Sequence, residues 1–352
     1  MKTLVQFFSD EVWRRNLTAD FLKGLAVLFM IQVHITELLA QPDFFASRAG
    51  KVSLFLGGPP AAPVFMVVMG YFLSKNKNSL MTAFLRGGKL ILGGILLNIF
   101  LNASLLYKIY SGAIFLNPWH YIFGADILPL AGMSVIIIAF FRRVFHDNLW
   151  AGGLFLVLVI LVNQFLPRGA DQGNEHIRYA LAFIYTNEHW SYFPLFPWFI
   201  YPLTGYLFRL SESKFQLGDN VLKTLFVLLF MVLVGSGSFI YNDIVHLPLW
   251  YHHGLRLIVW NFLFLAGYIL LIRLTIGYFR ENLLLLWISW LGKNVTAAYV
   301  IQWIVLGNAG TYLYKTISWE WLGLWFVSVS VTVTLITLLL NKAEELYGRR
   351  GL

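Results

Sequence analysis

The sequence predicts an all-α polytopic membrane protein with about ten transmembrane helices and both termini on the cytoplasmic side. Three observations predict this class: 59% of the 352 residues are hydrophobic, only 12% are charged, and the mean hydropathy is +0.69. An average soluble domain carries about twice that share of charged residues. The chain is therefore expected to be an integral, multi-pass membrane protein.

Ten apolar runs come close to the length that crosses a bilayer, about 20 residues. The sixth run is short and contains three prolines, which a membrane helix tolerates only where neighbouring groups satisfy the freed carbonyls. In chain order the runs lie at 21–40, 54–73, 84–102, 122–141, 149–166, 194–208, 222–240, 255–272, 294–312 and 319–340.

The first run follows an N-terminal segment, residues 1–19, that we expect to stay cytoplasmic. This segment lacks an uninterrupted apolar core and a small-residue cleavage site, so it does not have the pattern of a signal peptide. The helical bundle is expected over residues 20–340 and a cytoplasmic tail over 341–352. Because we find no internal repeat and no flexible linker, residues 1–352 are expected to form a single transmembrane domain.

The basic residues give the predicted spans a direction. With the N-terminus inside, the connections on the cytoplasmic side hold nineteen of the 26 Lys and Arg residues, and the opposite side holds seven. Such an excess is typical of cytoplasmic loops. Two long polar connections, 103–121 and 167–193, then face outward, where they either form the walls of a binding site or serve as plain connectors.

The composition excludes several kinds of chemistry. Cysteine is absent, which excludes disulfides, cysteine nucleophiles and cysteine-containing metal sites. The net charge of +9 does not predict a nucleic-acid partner, because the basic residues fall in short runs between apolar segments and make no continuous stripe. Membrane lipid is therefore the first expected partner.

The first predicted span, within TADFLKGLAVLFMIQVHITELLA, carries ionisable residues that are costly in hydrocarbon. Asp20, Lys23, His34 and Glu37 fall on one stripe of a helix, and His34 lies about 16 Å further along the axis than Lys23. Histidine changes its charge near neutral pH, and a carboxylate one turn away would hold its second nitrogen. This pattern predicts a general base, His34, oriented by Glu37, unless His34 only clamps two helices and Glu37 only reaches outer-surface water.

Five short motifs follow one another along the chain: LKGLAVLFMIQVH, PVFMVVMGYFLSK, FLRGGKLIL, FPLFPWFIYPLTGYLFRL and LGKNVTAAYVIQWIVL. They resemble the motifs of the transmembrane acyltransferases, namely the acyltransferase type 3 family and bacterial proteins like heparan-alpha-glucosaminide N-acetyltransferase. The spacing of Lys23, Gly24 and His34 is similar to the family's basic-Gly pair and its histidine, with lysine in place of the usual arginine. Gln302 stands where a histidine is frequent, and Met69 where a serine is common.

The resemblance implies an acyltransferase that moves an acyl group, most often acetyl, from cytoplasmic acyl-CoA to a hydroxyl or amine of a glycan or lipid-linked sugar outside. His34 and Glu37 would carry the catalysis, directly or through an acyl-histidine, and no metal is needed. The phosphates of acyl-CoA would bind basic residues at the cytoplasmic side of the protein. The preference for Lys and Arg in cytoplasmic loops alone also places basic residues there. The residues expected to bind this co-substrate are Arg14, Lys23, Arg86 and Lys89.

Candidate acceptor-binding residues lie on the predicted outer side. Trp119 and His120 precede the fourth span, Asp126 lies about two turns inside it, and Gln302 lies in the ninth. Asp126 would bind an acceptor hydroxyl, pair with a basic residue or anchor a helix. His246, His252 and His253 form a further polar group, which fits sugar stacking or an interfacial aromatic belt better than a metal site.

Two other functions compete with the acyltransferase. A proton-coupled transporter or flippase would use His34, Glu37 and Asp126 as a relay, although transporters often have two related halves and this sequence has a single proline-broken span. The second competing interpretation is a relative of the acyltransferases that has lost activity. Lys23, Met69 and Gln302 suggest it, because they depart from the residues that are usual in the family. The acceptor and the oligomeric state are left open, and the family resemblance favours a bacterial inner membrane.

Overall fold

The computed structural model describes residues 16–74, 79–167, 174–212, 214, 218–279 and 282–348. Within these ranges the chain is helical, and pairing between extended segments is limited to two isolated bridges. The predicted all-α class is therefore confirmed.

The described residues form eighteen α-helices and one short 3₁₀ helix. In chain order the α-helices are α1 (Leu17–Leu38), α2 (Pro42–Ala46), α3 (Arg48–Gly57), α4 (Ala62–Leu73), α5 (Leu80–Leu101), α6 (Ala103–Tyr110), α7 (Pro118–Ile122), α8 (Ile127–Phe145), α9 (Leu149–Phe165), α10 (Glu175–Ala182), α11 (Leu195–Trp198), α12 (Ile200–Glu212), α13 (Asp219–Val245), α14 (Leu247–Tyr251), α15 (Leu255–Thr275), α16 (Leu283–Lys293), α17 (Val295–Leu313) and α18 (Trp319–Gly348). The 3₁₀ helix, Ile276–Phe279, continues α15.

Seven helical segments of the described chain are long and apolar enough to cross a membrane, and a bent pair raises the number to eight. The chain is thus an integral, multi-pass membrane protein, while the predicted count of ten and the cytoplasmic termini are not confirmed. The seven segments are Leu17–Leu38, Arg48–Leu73, Leu80–Leu101, Ile127–Phe145, Asp219–Val245, Leu255–Phe279 and Trp319–Leu346.

Two predicted spans fall short for local reasons. The fifth corresponds to α9, which has 17 residues and so extends about 26 Å, less than the hydrocarbon thickness of about 30 Å. The sixth is divided between α11 and α12, and within α11 the backbone leaves the helical region at Phe196, before Pro197. A proline-rich segment therefore does not form one continuous helix here.

The ninth predicted span is the second half of the bent pair. The helices α16 and α17 meet at Asn294 with an angle of 87° between them. The sequence prediction began this span at residue 294 and did not anticipate α16 as a helix of its own. The last helix also continues to Gly348, beyond the predicted end of the bundle at residue 340.

The chain divides into two compact units. The described residues of Met1–Ala61, Leu101–Lys108 and Ile272–Leu352 form the first, and those of Ala62–Phe100 and Ile109–Leu271 form the second. The first unit therefore joins both ends of the sequence, including α1, α16, α17 and α18. The single domain expected from the sequence stays a prediction.

In the first unit, α1 and α16 cross at a pair of glycines. A β-carbon built on Gly24 would lie 1.8 Å from the carbonyl oxygen of Ile288, and one on Gly292 would lie 1.7 Å from that of Asp20. Only residues without a side chain allow two backbones to approach so closely. These glycines set the position of α1, the helix that carries His34.

The C-terminal end of α1 is held by backbone hydrogen bonds to the segment after α17. The N–H of Lys315 donates to the carbonyl of Leu38 at 2.9 Å, and the N–H of Ile317 donates to that of Leu39 at 2.9 Å. These bonds satisfy carbonyls that a helix end otherwise leaves unpaired. The end of α1 that follows His34 is therefore fixed against the chain that follows Gln302.

The second unit contains a similar crossing between α4 and α12. A β-carbon on Gly70 would lie 1.9 Å from the carbonyl oxygen of Pro202, and one on Gly205 would lie 1.9 Å from that of Val67. Close approach again requires glycine on both helices.

Candidate functional site

His34 pairs with Gln302 within the first unit. The imidazole Nδ1 lies 3.2 Å from the amide Oε1 of Gln302, a residue that is fully buried on α17, whereas His34 is half-buried on α1. An amide oxygen only accepts hydrogen bonds, so Nδ1 of His34 is the donor. The other ring nitrogen, Nε2, then has a free lone pair, as a general base requires.

An aromatic ring fixes the face of the same imidazole. The ring centroids of His34 and Trp303 are 3.9 Å apart, and their planes are inclined by 31°. The hydrogen bond to Gln302 therefore holds one edge of the ring while Trp303 covers a face. Sequence reasoning missed Trp303, although it directly follows Gln302 in the motif LGKNVTAAYVIQWIVL.

Glu37 lies one turn after His34 on α1, but its electrostatic neighbour is Lys315. Burial lowers the pKa of the Lys315 ammonium, and the Glu37 carboxylate opposes this shift. Lys315 also places its ammonium 3.9 Å from the centroid of the Phe45 ring. Among the described residues, His34 Nδ1 donates its hydrogen bond to Gln302 and not to Glu37 as expected. A catalytic role of Glu37 stays a prediction.

The basic residue before Gly24 is already paired. The ammonium of Lys23 lies 2.6 Å from a carboxylate oxygen of Asp20, and the two side chains are only 13% and 3% exposed. This ion pair gives Lys23 a structural role, so the binding of acyl-CoA by Lys23 stays a prediction. Arg14, expected in the same role, lies outside the described residues.

Arg86 lines a small basic cavity in the second unit. The cavity has a volume of about 40 Å³. Arg142, on α8, also lines it, donates to the carbonyl of Leu73 at 3.4 Å and lies 3.5 Å from a carboxylate oxygen of Asp147. Sequence reasoning counted Arg142 only as a topology signal. Lys89, one turn after Arg86, is exposed on α5.

His120 belongs to an aromatic cluster in the second unit. Its ring stacks on Trp190 with centroids 4.0 Å apart and meets the edge of His189 at 4.8 Å. Burial lowers the pKa of His120, and the neighbouring His189 lowers it further. Trp119 is 51% exposed and stacks on Phe123 with centroids 5.8 Å apart. Trp119 is thus an exposed ring of this cluster.

An ion pair with a buried carboxylate anchors the segment 174–193 to that cluster. Arg178 donates twice to the carboxylate of Glu188, at 2.8 Å for each bond, and Glu188 is only 5% exposed. The Arg178 guanidinium also lies 5.4 Å from the ring of Trp190. The described part of the 167–193 connection is therefore held in place by side-chain contacts, which its loop-like sequence did not indicate.

Asp126 occupies a different position from the one expected. It is the N-cap of α8, and its Oδ1 accepts a hydrogen bond from the N–H of Ile127 at 2.7 Å. The helix begins at Ile127, so Asp126 does not lie two turns inside a span that starts at residue 122. Capping carboxylates satisfy the free N–H groups of a helix start, which favours the anchoring alternative.

Of the histidines near residue 250, His253 makes structural contacts. His253 is 1% exposed, its Nδ1 donates to the carbonyl of Trp250 at 2.8 Å, and the Tyr201 hydroxyl donates to Nε2 at 2.8 Å. A buried ring with both nitrogens engaged is not placed for sugar stacking. In the described parts of the chain, no group of three or more His, Asp or Glu side chains is arranged to hold a metal ion. The expectation of a metal-free reaction stays a prediction.

Comparison with known proteins identifies one relationship. The family model of the heparan-alpha-glucosaminide N-acetyltransferase catalytic domain matches residues 15–217, more than half of the chain. No curated protein and no solved structure matched. The matched region contains His34, the cavity-lining Arg86 and the His120 cluster, whereas Gln302 lies beyond it. This match confirms the predicted resemblance: the chain belongs to the transmembrane acetyltransferase family of the heparan-alpha-glucosaminide N-acetyltransferase catalytic domain.

Proposed function

We propose that this protein takes an acetyl group from cytoplasmic acetyl-CoA and transfers it to a hydroxyl or amine of a glycan or lipid-linked sugar on the extracytoplasmic side. The observation that carries the proposal is the contact between His34 and Gln302, which leaves Nε2 of a half-buried histidine with a free lone pair. Membership of an acetyltransferase family supplies the reaction class.

The reaction balances with His34 as its proton carrier. Nε2 of His34 takes the proton from the acceptor hydroxyl or amine while the acceptor atom bonds to the thioester carbon, whose oxygen takes up the π electrons. When the carbonyl reforms, the carbon–sulfur bond breaks, and the leaving thiolate takes the proton from Nε2. A positioned general acid-base group of this kind contributes roughly 10²- to 10⁴-fold to a rate.

The donor phosphates have a candidate binding surface on α5 and α8. Arg86 and Arg142 line the same cavity, and Lys89 is exposed one turn along α5. Guanidinium groups pair well with phosphate oxygens, and an exposed ammonium adds a point charge. We assign Arg86, Arg142 and Lys89 to the phosphates of acetyl-CoA. Both Arg142 and Lys23 also contact a carboxylate, that of Asp147 and that of Asp20 respectively.

The acceptor has a candidate surface at Trp119. Apolar faces of sugars stack on exposed aromatic rings, and the ring of Trp119 is held by Phe123 on one side. His120 lies next to it with a polar ring edge. We assign Trp119 to acceptor stacking and His120 to the polar contact beside it.

The proposal is tested with purified protein in liposomes. The liposomes receive acetyl-CoA labelled in the acetyl group together with an amino sugar or glycan. Label on the added acceptor is the expected result, and label retained on His34 would indicate the acyl-histidine route. Movement of the sugar across the membrane without labelling would contradict the proposal and favour a transporter.

A further inference from the structure

The amide of Gln302 uses only one of its two ends within the protein. Its oxygen meets Nδ1 of His34 at 3.2 Å, while its Nε2 is buried and has no hydrogen-bond partner among the described residues. A buried N–H group without a partner costs free energy, so native proteins rarely leave one without a reason.

Two other amides of the same unit, those of Gln32 and Asn308, do not share this feature. The side chain of Gln32 donates to the Ser53 carbonyl and accepts from its hydroxyl, and that of Asn308 donates to the Ile304 carbonyl and accepts from the Ser104 N–H. Both ends of these amides are satisfied inside the unit. A helix clamp alone would satisfy both ends of Gln302 in the same way.

A second donor beside His34 is also without a partner. The indole Nε1 of Trp303 is buried and has no acceptor among the described residues, although its ring lies against the His34 imidazole. Two N–H donors thus flank a base whose free nitrogen is ready to accept a proton. Donors held in place without an acceptor are what the developing oxyanion of acyl transfer requires.

We propose that Gln302 serves the reaction in two ways. Its amide oxygen holds His34 with the proton on Nδ1, and its amide N–H, together with the Trp303 indole N–H, donates to the thioester oxygen as this becomes an oxyanion. The inference rests on the proposed acyl transfer and makes Gln302 a catalytic residue in place of the acceptor-binding one expected. The two N–H groups only donate hydrogen bonds; they form no covalent bond and transfer no proton. The balance of the reaction is therefore unchanged.

Three variants separate the two functions of the amide. Gln302→Glu keeps an oxygen at the same place and removes the N–H, whereas Gln302→Leu removes both. Asn308→Leu is the matched control, because it removes an amide from the same helix that uses both ends within the protein. For Gln302→Glu and Gln302→Leu we expect kcat to fall by about 10²-fold, with the KM for acetyl-CoA within about threefold. For Asn308→Leu we expect kcat within about threefold of the wild-type value.

A spectroscopic readout tests the positioning function without relying on turnover. In protein with ¹⁵N-labelled histidine, the His34 signal is assigned by its loss in His34→Gln. At a pH where the ring is neutral, we expect the proton on Nδ1 in the wild type and in Gln302→Glu. In Gln302→Leu we expect a mixture of the Nδ1–H and Nε2–H tautomers. A wild-type His34 with its proton on Nε2 would overturn the positioning function.

The activity results decide the oxyanion function. Wild-type kcat in Gln302→Glu would overturn it, and an equal loss in Asn308→Leu would overturn a specific role for Gln302. A wild-type chain that transfers no acetyl group overturns the proposed function and the oxyanion function together, whereas the tautomer measurement then still decides the positioning of His34.

Discussion

The amide oxygen of Gln302 lies 3.2 Å from Nδ1 of His34, although the two residues are 268 positions apart in the chain. This contact joins α1, near the start of the sequence, to α17, near its end. Because α1 also packs on α16 through glycines, the position of the base depends on three helices of one unit. The predictions below test that arrangement and its surroundings.

Gly24→Ala should destabilise the protein and lower its activity. The added methyl group would lie 1.8 Å from the carbonyl oxygen of Ile288, so α1 must move away from α16. Overpacking of this kind costs about 1–3 kcal/mol. Thermal unfolding in detergent should show a fall in Tm of several degrees, accompanied by slower acetyl transfer because His34 moves with α1.

Gly153→Ala is the matched control for that change. Gly153 lies on α9, and a β-carbon there would meet no atom of the described residues within 4 Å. Alanine favours the helix over glycine by about 1 kcal/mol, so Tm should stay the same or rise. Equal effects of the two substitutions would contradict the close packing of α1 on α16.

The long apolar helices were predictable because their signal is local. Runs such as 222–240 and 319–340 are longer than any soluble core helix needs, and both became spanning helices. The segment Leu283–Lys293 was missed because its 11 residues are too few to cross a bilayer alone. The bend at Asn294 depends on how the helices pack, and the pattern of apolar residues in the sequence does not predict packing.

The site was predictable residue by residue but not as an arrangement. His34 stood out because an ionisable group in an apolar run is costly, and Gln302 stood out through its motif. Their contact depends on how α1 and α17 pack, so sequence reasoning chose the neighbouring Glu37 as the partner. Asp126 was misplaced because residues 122–125 are apolar enough to resemble the start of a helix, whereas the capping carboxylate marks the true start.

Arg86→Gln should weaken the binding of acetyl-CoA more than it slows the chemical step. Loss of one charge-assisted hydrogen bond to a phosphate costs about 1.5–3 kcal/mol, which corresponds to roughly a tenfold or greater rise in KM. An acetylated pantetheine that lacks the nucleotide phosphates should be used equally well by the variant and the wild type. Initial rates with both donors measure this difference.

Arg143→Gln is the control for the loss of charge. Arg143 is exposed beside Arg142 and does not line the cavity. The KM for acetyl-CoA should stay within about twofold of the wild-type value. If both substitutions raised the KM equally, general surface charge and not the cavity would explain binding.

Arg178→Met should destabilise the segment 174–193 around the His120 cluster. It leaves the Glu188 carboxylate buried without its bidentate partner, and breaking such a buried pair costs about 3 kcal/mol or more. Hydrogen exchange over residues 174–193 should become faster. Adding Glu188→Leu removes the uncompensated charge and should restore much of the protection, whereas a double variant no better than the single one would count against the ion pair.

His120→Gln should reduce the loss of stability at acid pH. Burial lowers the pKa of His120, so the unfolded chain binds the proton more tightly than the folded one. The resulting destabilisation is present below the folded pKa and disappears as the pH rises through about 6.5. The difference in Tm between about pH 7.5 and about pH 5 should therefore be smaller in the variant.

His176→Gln controls for the removal of any histidine. His176 is exposed on α10, and its change should leave the pH dependence of Tm as in the wild type. The charged and titratable neighbours of His120 remain in both proteins; they are His189, Glu175, Arg178 and Glu188. An unchanged pH dependence in His120→Gln would show that His120 does not contribute to it.

The central claim is that His34 acts as the base in acetyl transfer, and its most direct test is the initial rate of label transfer from acetyl-CoA by His34→Ala in liposomes. The rate should fall by about 10²- to 10⁴-fold while Tm and the KM for acetyl-CoA stay close to the wild-type values. A folded His34→Ala protein that transfers acetyl groups at the wild-type rate would contradict the account.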